Sequence, residues 1–201
     1  MSDLEKCRNF WDWFTENSEQ IFNFETDVEH TFALLREAIK KVDENLEFEF
    51  GPIENDKREF IISANGIKVA FNAVENLYNQ KPNLEKWIIL KFRQRKNLAS
   101  FGTLEFEDTT LSVEDIYFLL FKGNADIGIA LFIKDYDAER HINMAFLFLD
   151  AALGEYDVET KLGAIEFADF NSEYFSKAKP FSKLPEIFDM VYKKSFVTDF
   201  E

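Results

Sequence analysis

The sequence predicts one α+β domain with a mainly antiparallel sheet of six or seven strands packed against amphipathic helices. Apolar residues recur at helical spacing in some segments and alternate with charged residues in others. These patterns come in blocks rather than in strict β-α-β order. The 201 residues are 46% hydrophobic and include 24 Phe, which predicts a core of aromatic rings. No linker-like segment divides the chain, so residues 1–201 are interpreted as a single domain.

Two amphipathic helices are predicted at the start of the chain. The apolar residues of the first recur at helical spacing: Cys7, Phe10, Trp11, Trp13, Phe14 and Ile21. The second begins at Thr26, because Thr26 and Glu29 have the spacing of a capping box. Its apolar stripe continues to Val42.

The pattern then changes to a period of two. Residues 46–50 (LEFEF) alternate apolar and acidic side chains, and residues 57–64 (KREFIISA) follow a turn-rich link. Together they predict a hairpin or two neighbouring strands. A third helix is predicted from Ile67 to Tyr78, and it ends before Pro82.

Strands predominate in the middle of the chain. One is predicted from Trp87 to Arg95 and another at 103–107 (TLEFE). Residues 115–121 (DIYFLLF) and 126–133 (DIGIALFI) are apolar on both faces, which is typical of central strands.

The last third of the sequence predicts a buried helix, a strand and a terminal helix. The buried helix spans residues 138–153, is apolar almost all round and ends at Gly154. Residues 161–167 (KLGAIEF) predict the last strand. The terminal helix has Pro185 in its first turn. Its inward-facing residues are expected to be Ile187, Phe188 and Val191.

The composition restricts the class of partner and of cofactor. A net charge of −15 argues against nucleic acid, which is bound by clustered Lys and Arg, and it favours a basic protein. Cys7, the one cysteine, is interpreted as a core residue, and with two His it makes no conventional zinc site. No cofactor is predicted.

The first residues lack the apolar region of a signal peptide and no apolar run can span a bilayer, so a cytoplasmic protein without membrane contact is predicted.

A catalytic centre is not evident in the sequence. Asp137 and His141 lie four residues apart on the buried helix, and such a pair can act as a base. An acidic residue at a helix start is also expected simply as a partner of the helix dipole. No catalytic residue is therefore assigned, and whether the protein is an enzyme is left open.

Positive charge is concentrated in residues 87–97 (WIILKFRQRKN), although the chain as a whole is acidic. On a strand, alternate side chains face opposite ways. Three cations are therefore expected to share one face: Lys91, Arg93 and Arg95. The other face is expected to carry Ile88, Leu90 and Phe92.

Two hypotheses explain this cationic face. In the preferred one, the cations pair across the sheet with the carboxylates of acidic strands, which are Glu47, Glu49, Glu105 and Glu107. In the other, Lys91, Arg93 and Arg95 bind an anionic ligand, and the same carboxylates supply acid–base chemistry.

Five short stretches carry a resemblance to known proteins. They are FWDWF (10–14), FEFGP (48–52), REFIISANG (58–66), KFRQR (91–95) and LGEYDVET (153–160). Along most of its length the chain resembles a family of conserved bacterial proteins of unassigned function. The resemblance implies a bacterial, soluble α+β protein, and it implies no activity and no catalytic residues.

The sequence as a whole favours a non-catalytic binding module for a protein partner, and for a basic partner in particular. An immunity-type protein that neutralises a basic toxin is one concrete form, because opposite charges speed association. The alternative is an enzyme or small-ligand receptor that holds an anionic ligand on the cationic face. Trp11 and Trp13 cannot both lie at the centre of one helix face, so one of them is a candidate partner contact.

Overall fold

The computed structural model describes residues 1–122 and 126–197, in which helices and strands both contribute. The chain divides into two compact units, Met1–Arg93 and a second that begins at Gln94. The prediction of one domain stays a prediction, because this division does not decide whether the units unfold together. None of the helices in the described ranges is long and apolar enough to cross a membrane.

The first unit contains helices around a three-stranded sheet. In chain order its elements are α1 (Asp3–Glu16), α2 (Ser18–Phe22), α3 (Val28–Lys40), β1 (Glu47–Glu54), β2 (Lys57–Ser63), α4 (Phe71–Asn79) and β3 (Trp87–Lys91). The strand order is β1-β2-β3, with β1 antiparallel and β3 parallel to β2. The β1–β2 hairpin confirms the prediction for this segment. The parallel pair follows from α4, which connects β2 to β3 as a crossover.

Aromatic rings fill the core of the first unit. Phe60 on β2 is fully buried, and its ring centroid lies 4.9 Å from that of Phe14 on α1. The indole Nε1 of Trp11 donates a hydrogen bond of 2.7 Å to the carbonyl oxygen of Leu77 in α4. This contact joins two helices over the sheet and satisfies a buried polar group. Cys7 is buried in the same core, as predicted.

Two helix boundaries differ from the prediction. The first predicted helix is divided at Asn17, whose side-chain amide donates to the carbonyl oxygen of Trp13. The second begins after Asp27 rather than at Thr26, because the Asp27 carboxylate accepts the hydrogen bond from the backbone of His30. The Thr26 hydroxyl instead donates backwards to Asn23. The predicted capping box is therefore wrong, and the neighbouring acid is the cap.

The second unit contains a two-stranded hairpin, a four-stranded sheet and helices. In chain order its elements are α5 (Leu98–Phe101), β4 (Thr103–Phe106), β5 (Thr109–Ser112), β6 (Ile116–Lys122), β7 (Ile127–Ile133), α6 (Ala138–Leu153), α7 (Glu155–Lys161), β8 (Leu162–Ala168), β9 (Lys179–Pro180) and α8 (Leu184–Val197). The larger sheet has the order β8-β7-β6-β9. β7 pairs in parallel with β8, and the other neighbours pair antiparallel.

The strongest sequence patterns in this unit are confirmed. β6 and β7 are the central strands, and every residue of β7 is buried. α6 has the predicted bounds, and Gly154 ends it with a φ of 84°, a left-handed conformation that glycine adopts without steric cost. The short helix α7 and the strand β5 were not predicted. On α8, Phe188 is buried as expected.

The predicted α+β class is confirmed, but the predicted sheet of six or seven strands is wrong. The described strands form separate sheets of three, two and four strands. One physical reason lies at the end of β3. Phe92 adopts a φ of 59°, which strand geometry does not allow, so β3 stops at Lys91 and the chain continues into α5.

Candidate functional site

The three predicted ligand-binding residues do not lie along one strand. Lys91 is the last residue of β3, whereas Arg93 and Arg95 follow the turn at Phe92. The predicted apolar face is also wrong for Ile88, which is 42% exposed, because Trp87 and Ile89 are the residues of β3 that face the core.

Lys91 lies at the edge of the core face of the sheet. Its Cα partner on β2 is Ile62, and directly paired residues point to the same side. Ile62 is fully buried among the helices of the first unit. The Nζ of Lys91 lies 2.7 Å from both carboxylate oxygens of Glu75, which belongs to α4. Its carboxylate partner thus comes from a helix rather than from an acidic strand.

Arg93 meets a carboxylate on the opposite face of the same sheet. Its Nε donates to Glu49 on β1, and its Nη2 donates to the side-chain oxygen of Asn65 at 3.0 Å. Glu49 alternates with Phe48 and Phe50, whose rings pack against the core. The preferred hypothesis named Glu49 as a partner, and the contact is present, although it is made from beyond the strand.

Arg95 belongs to the second unit, where it caps the C-terminal end of α6. Its Nε donates to the carbonyl oxygen of Leu153 at 2.8 Å, one of the carbonyls that a helix end leaves without an internal partner. Its two terminal nitrogens donate to Asp189 and Asp157 at 3.0 and 3.1 Å. Burial acts to lower the pKa of Arg95, but these carboxylates outweigh it and raise that pKa. The backbone of Lys96 satisfies a further α6 carbonyl, that of Ala151.

The side chains of Lys91, Arg93 and Arg95 are therefore bound to carboxylates, and that of Arg95 also to a helix carbonyl. Each of Lys91, Arg93 and Arg95 has at least one carboxylate partner. The role of these residues in binding an anionic ligand stays a prediction. A ligand would have to compete with those partners.

Asp137 and His141 do not form a carboxylate–imidazole pair. The Asp137 carboxylate caps α6 by accepting a hydrogen bond of 3.1 Å from the backbone of Arg140. The ring Nδ1 of His141 lies 3.0 Å from the backbone nitrogen and the backbone oxygen of Asp137 instead. The acid is thus used for the structural role that its position at a helix start predicts.

A second charged surface appears on the β4–β5 hairpin, residues 103–112. Its tip carries the acidic residues Glu105, Glu107 and Asp108, all exposed, and with them Phe106, which is 61% exposed. Neither Glu105 nor Glu107 forms an ion pair with a residue that the structure describes. We call residues 105–108 the acidic tip.

The hairpin is anchored at its base and open at its tip. Leu104 and Leu111 pair across the hairpin and pack in the core of the second unit. Phe106 lies on the same face two residues further along, where the core no longer covers it. The pattern TLEFE predicted that Phe106 lies on the apolar face of the strand together with Leu104. The exposure of Phe106 shows that an alternating pattern does not determine how much of that face the core covers.

The turn of this hairpin holds an acidic residue in an unfavourable backbone conformation. Glu107 has a φ of 54°, and residues other than Gly, Asn or Asp pay a steric cost in that region. Such positions are enriched at binding sites. Two features of the sequence could have indicated this acidic surface. Residues 97–121 contain no Lys or Arg, and the turn carries the acidic pair Glu107-Asp108.

Comparison with known proteins adds no assignment. Neither a protein-family model, nor a curated protein, nor a solved structure matches the chain. Across the described ranges, no group of three His, Cys, Asp or Glu side chains is placed to hold a metal ion.

Proposed function

We propose that the protein is a binding module for a basic protein partner, which it contacts through the acidic tip. The observation that carries this proposal is the exposed ring of Phe106, flanked in the sequence by the exposed acidic residues Glu105, Glu107 and Asp108. An exposed aromatic residue can fill a pocket of the partner, and flanking charges determine which partner approaches. The predicted cytoplasmic location belongs to the same proposal.

The charge of the whole chain supports this choice of partner. At −15 it attracts a basic protein over a distance and raises the association rate, mainly at low salt. An immunity-type role, in which the protein neutralises a basic toxin, is one concrete form of the proposal. The acidic tip adds a local contact to that general attraction.

The alternative is an enzyme or receptor that holds an anionic ligand at Lys91, Arg93 and Arg95. It ranks second because Glu75, Glu49 and Asp157 already neutralise these cations. The binding free energy of a ligand would be only the difference between the contacts it makes and the ion pairs it displaces.

A pull-down at low salt tests the proposal. The protein is immobilised, and captured proteins are identified and then eluted with increasing salt. The tip variant carries Glu105→Gln, Phe106→Ser and Glu107→Gln. A matched control carries Asp12→Asn and Glu16→Gln on the exposed side of α1 and Tyr174→Ser at another exposed position, so both variants lose two negative charges and one exposed aromatic ring.

We expect a basic partner that the control variant captures and the tip variant does not. Equal capture by both variants, or equal loss in both, would mean that net charge alone attracts the partner and that the acidic tip is not the site. Capture of no basic protein at low salt contradicts the proposal as a whole.

A further inference from the structure

A cavity of about 380 Å³ opens between α1 and α3 in the first unit. Its apolar walls are formed by Phe10, Trp13, Leu34 and Ala38. Its polar lining consists of Lys6, Asn9, Glu37 and Lys41, with Met1 completing the rim. This volume lies at the lower end of the range for small-molecule sites, and apolar walls with a few polar groups are typical of them.

Trp13 is available to a ligand, whereas Trp11 is not. Trp11 is 3% exposed, and its indole nitrogen is already bonded to Leu77. Trp13 is half-buried, packs at a tilt against Phe10 with ring centroids 6.2 Å apart, and lines the cavity. Its indole nitrogen has no hydrogen-bond partner within the part of the chain that the structure describes. The less buried member of the Trp pair in FWDWF thus faces a cavity.

The side chains that line the cavity carry a net positive charge, whereas the chain as a whole carries a net negative charge. Two lysines and one glutamate line it, in a protein with a net charge of −15. Glu37 pairs with Lys41 at 2.9 Å. Lys6 is held only loosely, with its Nζ 3.8 Å from Asp3 and 3.4 Å from the carbonyl oxygen of Val42. Its ammonium group can therefore turn to an anion without breaking a strong pair.

We propose that this cavity binds a small apolar molecule that carries one anionic group, such as a medium-chain or aromatic carboxylate. The apolar part packs against Trp13, Leu34 and Ala38. The anionic group lies at the rim beside Lys6 and Lys41. The site is in the first unit and is independent of the acidic tip.

Binding of 8-anilinonaphthalene-1-sulfonate provides the first test, since this probe is apolar, anionic and fluorescent when shielded from water. We expect saturable binding to the native protein. Octanoate should displace the probe. Octanol, which has the same chain without the charge, and acetate, which has the charge without the chain, should displace it much less.

Matched variants locate the site. Lys6→Gln with Lys41→Gln removes the two rim cations, and Lys57→Gln with Lys68→Gln removes two exposed cations elsewhere in the same unit. The rim variant should bind octanoate at least about tenfold more weakly, because a charge-assisted contact is lost, while the control keeps the native affinity. Ala38→Leu should abolish binding by filling the cavity. Circular dichroism and thermal unfolding check that each variant is folded.

Several outcomes would overturn the proposal. These are the absence of saturable binding, equal displacement by octanol and octanoate, or native affinity in a folded Ala38→Leu protein. If Ala38→Leu does not fold, the rim variant decides, because its substitutions lie at the surface. If octanoate does not bind but Ala38→Leu loses the basic protein partner, the cavity receives a side chain of that partner and the small-molecule proposal fails.

Discussion

Arg58 is buried in the first unit and receives its counter-charge from Glu25, a carboxylate at the surface. The Arg58 side chain is 3% exposed, and that of Glu25 is 57% exposed. Both terminal nitrogens of the guanidinium donate to the two Glu25 oxygens, one of them at 3.1 Å. The rings of Phe22 and Phe24 lie over the same guanidinium, with their centroids 5.5 and 4.5 Å away. A cation in an aromatic environment is thus neutralised from outside.

Glu25→Gln is expected to destabilise the protein by about 1–3 kcal/mol, because it leaves a buried cation without a counter-charge. The lower part of this range is expected, since water screens the exposed carboxylate. Urea unfolding of the native protein and the variant measures the difference. Glu29→Gln, another exposed acid close by, is the control and should change stability little. If Glu25→Gln left the free energy of unfolding unchanged, the ion pair would add nothing to stability.

The same pair predicts a pH dependence. The hydrogen bonds from Arg58 lower the pKa of Glu25 below its ordinary value of 4.5. A lowered folded-state pKa contributes stability that is fully present above the unfolded pKa and is lost as the pH falls through the folded value. The stability difference between native protein and Glu25→Gln should therefore be constant well above pH 4.5 and shrink as the pH falls below that value. Urea unfolding at a series of pH values measures this. A difference that stays constant contradicts the assignment.

Arg93→Ala distinguishes structural pairing from an anion site. The Arg93 side chain is 12% exposed and bonded to Glu49, so its removal should cost about 1–2 kcal/mol. Arg93→Glu should cost more, because it places like charges side by side. Denaturant unfolding at low and high salt measures both, and a double-mutant cycle with Glu49→Gln isolates the pair. If Arg93→Ala were more stable than the native protein, the anion site would become the leading hypothesis.

Trp11→Phe is expected to destabilise the first unit by about 0.5–1.5 kcal/mol, the net contribution of one hydrogen bond. It removes the bond from Trp11 to the carbonyl of Leu77, which keeps its bond from the backbone of Gln80 at 3.3 Å, while most of the ring packing is kept. Trp13→Phe is the matched control, since the Trp13 indole donates no hydrogen bond to a residue that the structure describes, and it should cost less. Thermal and denaturant unfolding measure both. Equal costs would mean that ring volume, and not the hydrogen bond, decides.

Glu107→Asn should stabilise the fold and weaken partner binding. Asn tolerates the positive φ of this turn better than Glu does, so a gain of about 0.5 kcal/mol is expected. The loss of one carboxylate from the acidic tip should at the same time lower the affinity for a basic partner. Denaturant unfolding and partner titration measure the two effects. A variant that binds as tightly as the native protein would remove Glu107 from the site.

Local sequence patterns correctly predicted the elements whose environment is uniform along their length. α6 is apolar nearly all round and ends at a glycine, so its bounds at 138–153 follow from the sequence alone. β6 and β7 are apolar on both faces, and this predicted their central position. The hairpin of β1 and β2 is likewise formed by neighbours in the chain, which need no distant partner to pair.

Tertiary structure decided where long-range partners compete with a local pattern. The alternation in 87–95 predicted a strand through Arg95, but Phe92 turns the chain after Lys91 and buries its ring. The partner of Arg93 is 44 residues away in sequence, and Arg95 reaches Asp189 across 94 residues. A period of two records which way side chains alternate, but it carries no information about which carboxylate or helix end they meet. That choice depends on how strands, helices and turns pack in three dimensions.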